Sequence, residues 1–243
     1  MTAALKTKAA DGLKKAFRDA LARSPKVKAQ ERKRLDKAAQ EGNLFVMKEI
    51  IARYPNEAVN WQDPEGSGLS PLHFAAIGRR GDIAEWLLTQ GADTTLQDKD
   101  GLTALHYAAQ AIDPDALYKL LNVGADIEAR NNKGETPLMF AVVRKTQPDN
   151  IGVLVLADAD IHAADNDGET PIGYARKNRM RDIANTIDWA FGTRIAHKAA
   201  EEEAAQAQKD AAIADAVQTM TSGSTGTVAI KKPLRLKNQA LKN

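Results

Sequence analysis

A nine-residue pattern recurs through the middle of the chain at a spacing that leaves little choice of fold. GLSPLHFAA begins at Gly68, GLTALHYAA at Gly101, GETPLMFAV at Gly134 and GETPIGYAR at Gly168. The hydroxyl residues of these segments, Ser70, Thr103, Thr136 and Thr170, lie 33, 33 and 34 residues apart. A second motif follows each of the first three: LLTQGADTTLQD from Leu87, LLNVGADIEARN from Leu120 and LVLADADIHAAD from Leu154. Self-similarity at a period of this size marks stacked units, each too small to bury its apolar face without a neighbour.

The residues within one period read as a pair of helices. Thr103 suits an N-cap, its hydroxyl accepting from an amide of the first turn. Pro71, Pro137 and Pro171 follow such hydroxyls at the first helical position, where a missing N–H costs nothing. Leu72, Leu105, Leu138 and Ile172 enter the core, and Ala75, Ala76, Ala108 and Ala109 let neighbouring helices approach closely. The second helix presents Ile83, Trp86, Leu87 and Leu88, then Leu117, Leu120 and Leu121, at helical spacing. Gly91 and Gly124 fall where a left-handed residue ends a helix, and Asp158 fills that slot under strain in the next unit. The segments Asp98–Gly101 and Asp165–Gly168 read as tight turns.

With Ser70-Pro71-Leu72-His73, Thr103-Ala104-Leu105-His106, Thr136-Pro137-Leu138 and Thr170-Pro171 at this period, the chain resembles the ankyrin repeat family from Asp63 to about Thr193. The resemblance implies an all-α repeat solenoid of stacked helix-turn-helix units with short β-hairpin fingers. It also implies that His73 and His106 hydrogen-bond within and between repeats. A unit from Ala38 has the two-helix pattern without the signature, as an N-terminal cap would. The expected organisation is a basic amphipathic segment over 1–34, a capping repeat over 35–62, and repeats over 63–195. These divide at about 63–97, 98–130, 131–164 and a C-terminal cap at 165–195. An Ala/Glu-rich helix and a basic tail then follow over 196–243.

Composition narrows the function. The chain has no cysteine, which excludes disulfides and thiolate chemistry and fits a reducing, cytoplasmic setting. No apolar run approaches the ~20 residues of a membrane span, and no apolar segment follows the basic N-terminus as in a secretory leader. The expectation is therefore that no leader is removed. The total charge of +2 is uneven: roughly +8 up to Arg34 and +5 from Ser224 leave about −11 between them. Among the four histidines no pair has metal-ligand spacing, and the Asp-rich turns do not match a calcium loop. No phosphate-binding loop or nucleophile elbow occurs. No catalytic residue, cofactor or metal is expected, and a hidden hydrolase or transferase would need a clustered site that the sequence does not display.

In ankyrin proteins recognition falls to fingertips and inner helices. On this chain those positions are Pro64, Glu65, Ser67, Lys99, Asp100, Leu102, Asn132, Lys133, Glu135, Asp167 and Glu169, with Ile77, Gln110 and Arg144 on the helices. Gly78, Ala111 and Val143 extend the same surface. The aromatic register Phe74, Tyr107, Phe140, Tyr174 allows two readings, packing between inner helices or anchors on the groove. The first finger, Asp63 to Ser70, is about two residues longer than its counterpart and should reach further. Lys145–Asn150 adds about one residue between its two helices.

The expected activity is that of a scaffold binding a protein through this face, with a basic segment as a candidate partner for the acidic body. The rival reading has the basic tails, including Leu13, Phe17 and Leu21 at helical spacing, recruit the chain to an anionic membrane or nucleic acid. In that reading it could equally be an effector secreted by a non-Sec route, with the repeats as targeting module.

Overall fold

A computed structural model describes residues 24–55, 57–63, 66–111 and 114–222, with side chains to residue 215. The described residues form ten α-helices and no strand: α1 (Pro25–Glu41), α2 (Leu44–Arg53), α3 (Pro71–Ile77), α4 (Gly81–Thr89), α5 (Ala104–Gln110), α6 (Asp115–Asn122), α7 (Pro137–Val143), α8 (Pro148–Leu156), α9 (Pro171–Lys177) and α10 (Arg181–Ser222). The chain divides between Arg194 and Ile195 into two units.

In the first unit the short helices that follow the Ser/Thr caps pack side by side: α1 on α3, α3 on α5, α5 on α7, α7 on α9. Each pairs with its successor in sequence, α1 with α2, α3 with α4, α5 with α6 and α7 with α8, and α4 also packs on α6. One apolar cluster runs through all of them, from Leu35 and Met47 through Leu72, Leu105 and Leu138 to Ile172 and Ile187. Seven-residue helices are too short to persist in water alone, so their stability comes from this shared burial. Truncating one fully buried leucine costs about 2–5 kcal/mol.

Gly91 and Gly124 close their helices at φ 84° and 77°, and Asp158 takes the same left-handed conformation at φ 78°. Arg194 offsets that strain. Its guanidinium donates to the carbonyls of Val155 and Ala159 at 3.0 Å each, and its Nε lies 3.3 Å from the Asp158 carboxylate. Asn150, fully buried, donates from Nδ2 to the carbonyls of Ala109 and Ala111 at the end of α5.

One boundary differs from the sequence reading. α1 begins at Pro25, inside the segment assigned to a basic N-terminal stretch. Its Glu31 is buried and accepts from Arg34 and Arg53 at 3.0 Å, which brings those cations into the fold. The helix that begins at Arg181 and the Ala/Glu-rich helix expected from 196 are one element, α10, which runs to Ser222. From Ile195 to Asp215, in the second unit, its residues are all exposed. The expected amphipathic helix at Leu13, Phe17 and Leu21 and the basic tail after Ser222 lie outside the described residues.

Candidate partner-binding face

Three fingers are built alike. In each, the first residue's side-chain oxygen accepts from the amides two and four residues on: Asp98 from Asp100 and Leu102, Asn131 from Lys133 and Glu135, Asp165 from Asp167 and Glu169, all at 2.8–3.0 Å. Each turn is closed by a backbone pair, such as Asp98 N to Leu102 O and Gly101 N to Asp98 O. Consecutive fingers are then tied by one backbone bond of 3.0 Å each: Lys99 N to Ser67 O, Asn132 N to Asp100 O, Asn166 N to Lys133 O. The side chains of Asn132 and Asn166 add a second tie, to Lys99 O and Asn132 O. The expected β-hairpins are thus side-chain-closed turns joined by single rungs. The side-chain oxygen takes amides that a ladder would use, and one rung per neighbour is too few for a strand.

The left-handed glycines make that spacing possible. Gly101 and Gly134 have φ 77° and 76°, and an added Cβ would stand 2.7 Å from Asn132 N and 2.8 Å from Asn166 N, respectively. Both positions therefore exclude a side chain, first by conformation and then by the next finger's backbone.

His73 and His106 tie the helices to the fingers. The imidazole Nδ1 of His106 accepts from the Thr103 backbone amide at 3.2 Å, so Nε2 carries the proton and donates to the Glu135 carbonyl in the next repeat at 3.1 Å. His73 does the same between Ser70 N, at 3.1 Å, and Leu102 O, at 3.0 Å. Burial disfavours the cation and holds both imidazoles below the usual histidine range. At these two caps the hydroxyl pairs with the imidazole. Where the third helical residue is not histidine, the hydroxyl caps directly: Thr136 accepts from Met139 N at 3.3 Å and Thr170 from Gly173 N at 3.1 Å.

The anticipated contact positions separate into two groups. Ser67, Lys99, Asp100, Asn132, Lys133 and Asp167 stand exposed on the finger row, and Ile77, Gln110 and Arg144 are exposed at the ends of α3, α5 and α7. Leu102 and Glu135 are corrections: both are buried. Leu102 gives its carbonyl to His73, and the Glu135 carboxylate accepts from Asn131 Nδ2 at 2.7 Å. Ala111 is buried too, while Gly78 and Val143 are half-buried. Glu169 is half-buried and ion-paired with Lys177. Pro64 and Glu65, and with them the reach of the long first finger, lie outside the described residues. Of the repeat-motif residues, Ser70, Pro71, Leu72, His73, Thr103, Leu105, His106, Thr136, Pro137, Leu138 and Pro171 are buried and Thr170 is half-buried.

These positions do not form an acidic row. With Glu135 buried and Glu169 paired, the exposed tips carry Lys99 and Lys133 against Asp100 and Asp167. Asp98 is occupied by two amides and by the Tyr107 hydroxyl at 2.7 Å; burial, with Asp98 beside it, pushes that phenol well above the usual range. The aromatic register is mainly packing: Phe140 is buried and Phe74, Tyr107 and Tyr174 are half-buried against the core.

Between the ends of α3 and α5 lies a cavity of about 300 Å³ lined by Ala76, Ile77, Arg79, Tyr107, Gln110 and Ala111. Arg79 was not anticipated. The sequence signal was present: the position nine residues after the cap hydroxyl is Arg79, Lys145 and Arg179 in three units. All three adopt left-handed backbone, at φ 58°, 55° and 58°.

Residues 35–131 match the family model described as ankyrin repeats, three copies. The same cap, helix pair and finger recur beyond that span through α9. Over residues 35–131 the chain thus matches ankyrin repeats, and the geometry that recurs through α9 is similar to them.

Proposed function

We propose that this chain is a non-catalytic scaffold that binds a protein through the finger row and the exposed ends of its inner helices. Ankyrin repeats are in general protein-interaction modules. The observation that carries the reading here is the bonded finger row. Tips that are exposed, chemically varied and tied to one another by backbone bonds form a pre-ordered surface, which lowers the ordering cost of binding. The two buried histidines are fully used in backbone hydrogen bonds, which gives them a structural role. A cytoplasmic setting belongs to this reading, on the strength of the cysteine-free composition. No helix among the described residues is long and apolar enough to cross a membrane. Recruitment by the basic tails rests on sequence charge alone, and the mixed charge of the fingertips gives no preference for a basic segment.

Photo-crosslinking tests the proposal. A benzophenone amino acid is placed singly at Gln110 or Lys133, and at Tyr118 or Leu156, which are exposed on outer helices. The same discrete crosslinked protein from the inner sites, and its absence from the outer ones, is the expected result. Equal crosslinking from both sets, or products from the outer sites alone, would overturn the reading.

A further inference from the structure

We infer that the cavity between α3 and α5 receives an apolar side chain from a partner segment that carries a carboxylate beside it, held by Arg79. This rests on the inner-helix reading above and adds the partner's chemistry. The floor is small and apolar, formed by the buried Ala76 and Ala111. Ile77, at 36% exposure, and the half-buried Tyr107 line the cavity as well. The Tyr107 hydroxyl is held by Asp98, so the ring rather than a free polar group faces an occupant. An aliphatic or aromatic side chain laid in this open depression would cover its apolar floor, which is favourable. Gln110 supplies an amide at the rim, suited to a partner's backbone.

The charge at the lip is positive. Arg79 is exposed and makes no ion pair among the described residues. Arg144, at the end of α7, lies with its guanidinium carbon 4.5 Å above the Phe140 ring, also without an acidic partner among the described residues. Of the two finger acids that act on Tyr107, Asp98 is already committed to two amides and a phenol, and Asp100 stands exposed at the fingertip. A basic segment laid here would meet the guanidinium of Arg79, whereas a carboxylate would pair with it and could engage it through two bonds.

The backbone fixes where Arg79 stands. Arg79 has φ 58°, a conformation that glycine adopts freely and a long side chain does not. Lys145 and Arg179 share this conformation at φ 55° and 58°, so a cation in this slot recurs in the stack, and at Arg79 it stands beside the cavity.

The test is selection of phage-displayed random peptides on the full chain. Affinities of the winners are then measured by fluorescence anisotropy for the unaltered chain and for Arg79→Glu, Arg79→Gly and Ile77→Asp. Enriched peptides should share an Asp or Glu within three residues of an aliphatic or aromatic residue. Arg79→Glu should weaken them about ten-fold or more, with the melting midpoint unchanged. Arg79→Gly should weaken binding while raising the melting midpoint, a pairing that misfolding does not produce. Enriched peptides that are basic or neutral, or binding to Arg79→Glu within two-fold of the unaltered chain, would overturn the inference. Peptides sensitive to Ile77→Asp but indifferent to Arg79 would overturn the acidic chemistry while leaving the inner-helix face standing. Peptides indifferent to both, or no peptide above background, would count against the face as well.

Discussion

His106→Met isolates the bond between one repeat's helix and the next repeat's finger. Methionine is the residue at the same register one repeat on, Met139, so the substitution converts this cap into one the protein already contains. Three contacts go: Thr103 N and Oγ1 to Nδ1, at 3.2 and 2.9 Å, and Nε2 to Glu135 O, at 3.1 Å. Two are partly recovered. The Thr103 hydroxyl can turn to the amide three residues on, as Thr136 does, and Glu135 O keeps its bond from Asn131 N at 3.1 Å. The Thr103 N–H is left buried without an acceptor, at about 1–3 kcal/mol. The edge contact of His106 on the Phe140 ring, centroids 5.7 Å apart, is also lost. The expected loss is about 2 kcal/mol, a sizeable share of the ~5–15 kcal/mol of a typical domain. Urea denaturation at pH 8, followed by far-UV circular dichroism, measures it. The reverse change, Met139→His, places an imidazole between Thr136 N and the carbonyl of Glu169 and should add about 1 kcal/mol. A His106→Met loss below about 0.5 kcal/mol would refute the claim that the imidazole couples neighbouring repeats.

Four further outcomes follow from named contacts. Burial holds the half-buried Asp36 carboxyl at about 7, against a smaller opposing effect of Arg32, and its Oδ1 has no hydrogen-bond partner. The folded state therefore keeps a proton that the unfolded chain releases near 3.8, so this contribution to stability is complete below that pH and lost as pH rises through about 7. Asp36→Asn should stabilise by about 2 kcal/mol at pH 8, after allowance for its exposed side, and by little at pH 4. Thermal melts at the two pH values decide it. His73 and His106 act in the opposite sense: their lowered pKa means that stability falls as pH drops below about 6.5, and His106→Met should flatten that limb. Gly134→Ala should cost about 2–3 kcal/mol in a denaturation titration, because φ 76° and the Asn166 amide both oppose a Cβ. Arg194→Ala should cost about 1–2 kcal/mol and speed amide exchange at the end of α8, where it removes the bonds to Val155 O and Ala159 O.

Periodicity carried most of the fold. Thr-Pro-Leu and Leu-Leu at one spacing are local signals, and they place the helices and the left-handed Gly91 and Gly124 without reference to anything distant. Asp158 was legible for the same reason: a glycine slot filled by another residue stays a left-handed slot. Partners far apart in sequence were not legible. Arg194 serves carbonyls 35 and 39 residues away, and Asn150 serves carbonyls 39 and 41 away, so neither has a local signature. The family resemblance names finger positions without telling exposed from buried ones. Leu102 and Glu135 instead sit where the turn re-enters the stack, and their carbonyls receive the two histidines. For Glu135 a signal existed: Asn131 replaces the aspartate of the other two fingers, and an amide at that place has a donor for a carboxylate four residues on. The acidic body expected from net charge did not become an acidic binding row, because a charge sum takes no account of burial or pairing.

Amide hydrogen exchange at Lys99, Asn132 and Asn166 tests the account most directly. All three residues are exposed, yet each amide donates to the preceding finger, so burial of the side chain does not explain protection there. Exchange slowed by about a hundred-fold or more relative to an unstructured chain at all three would show a bonded, pre-ordered row. Exchange at unstructured rates there, while the helices stay protected, would mean separate mobile loops and would contradict the proposed binding surface.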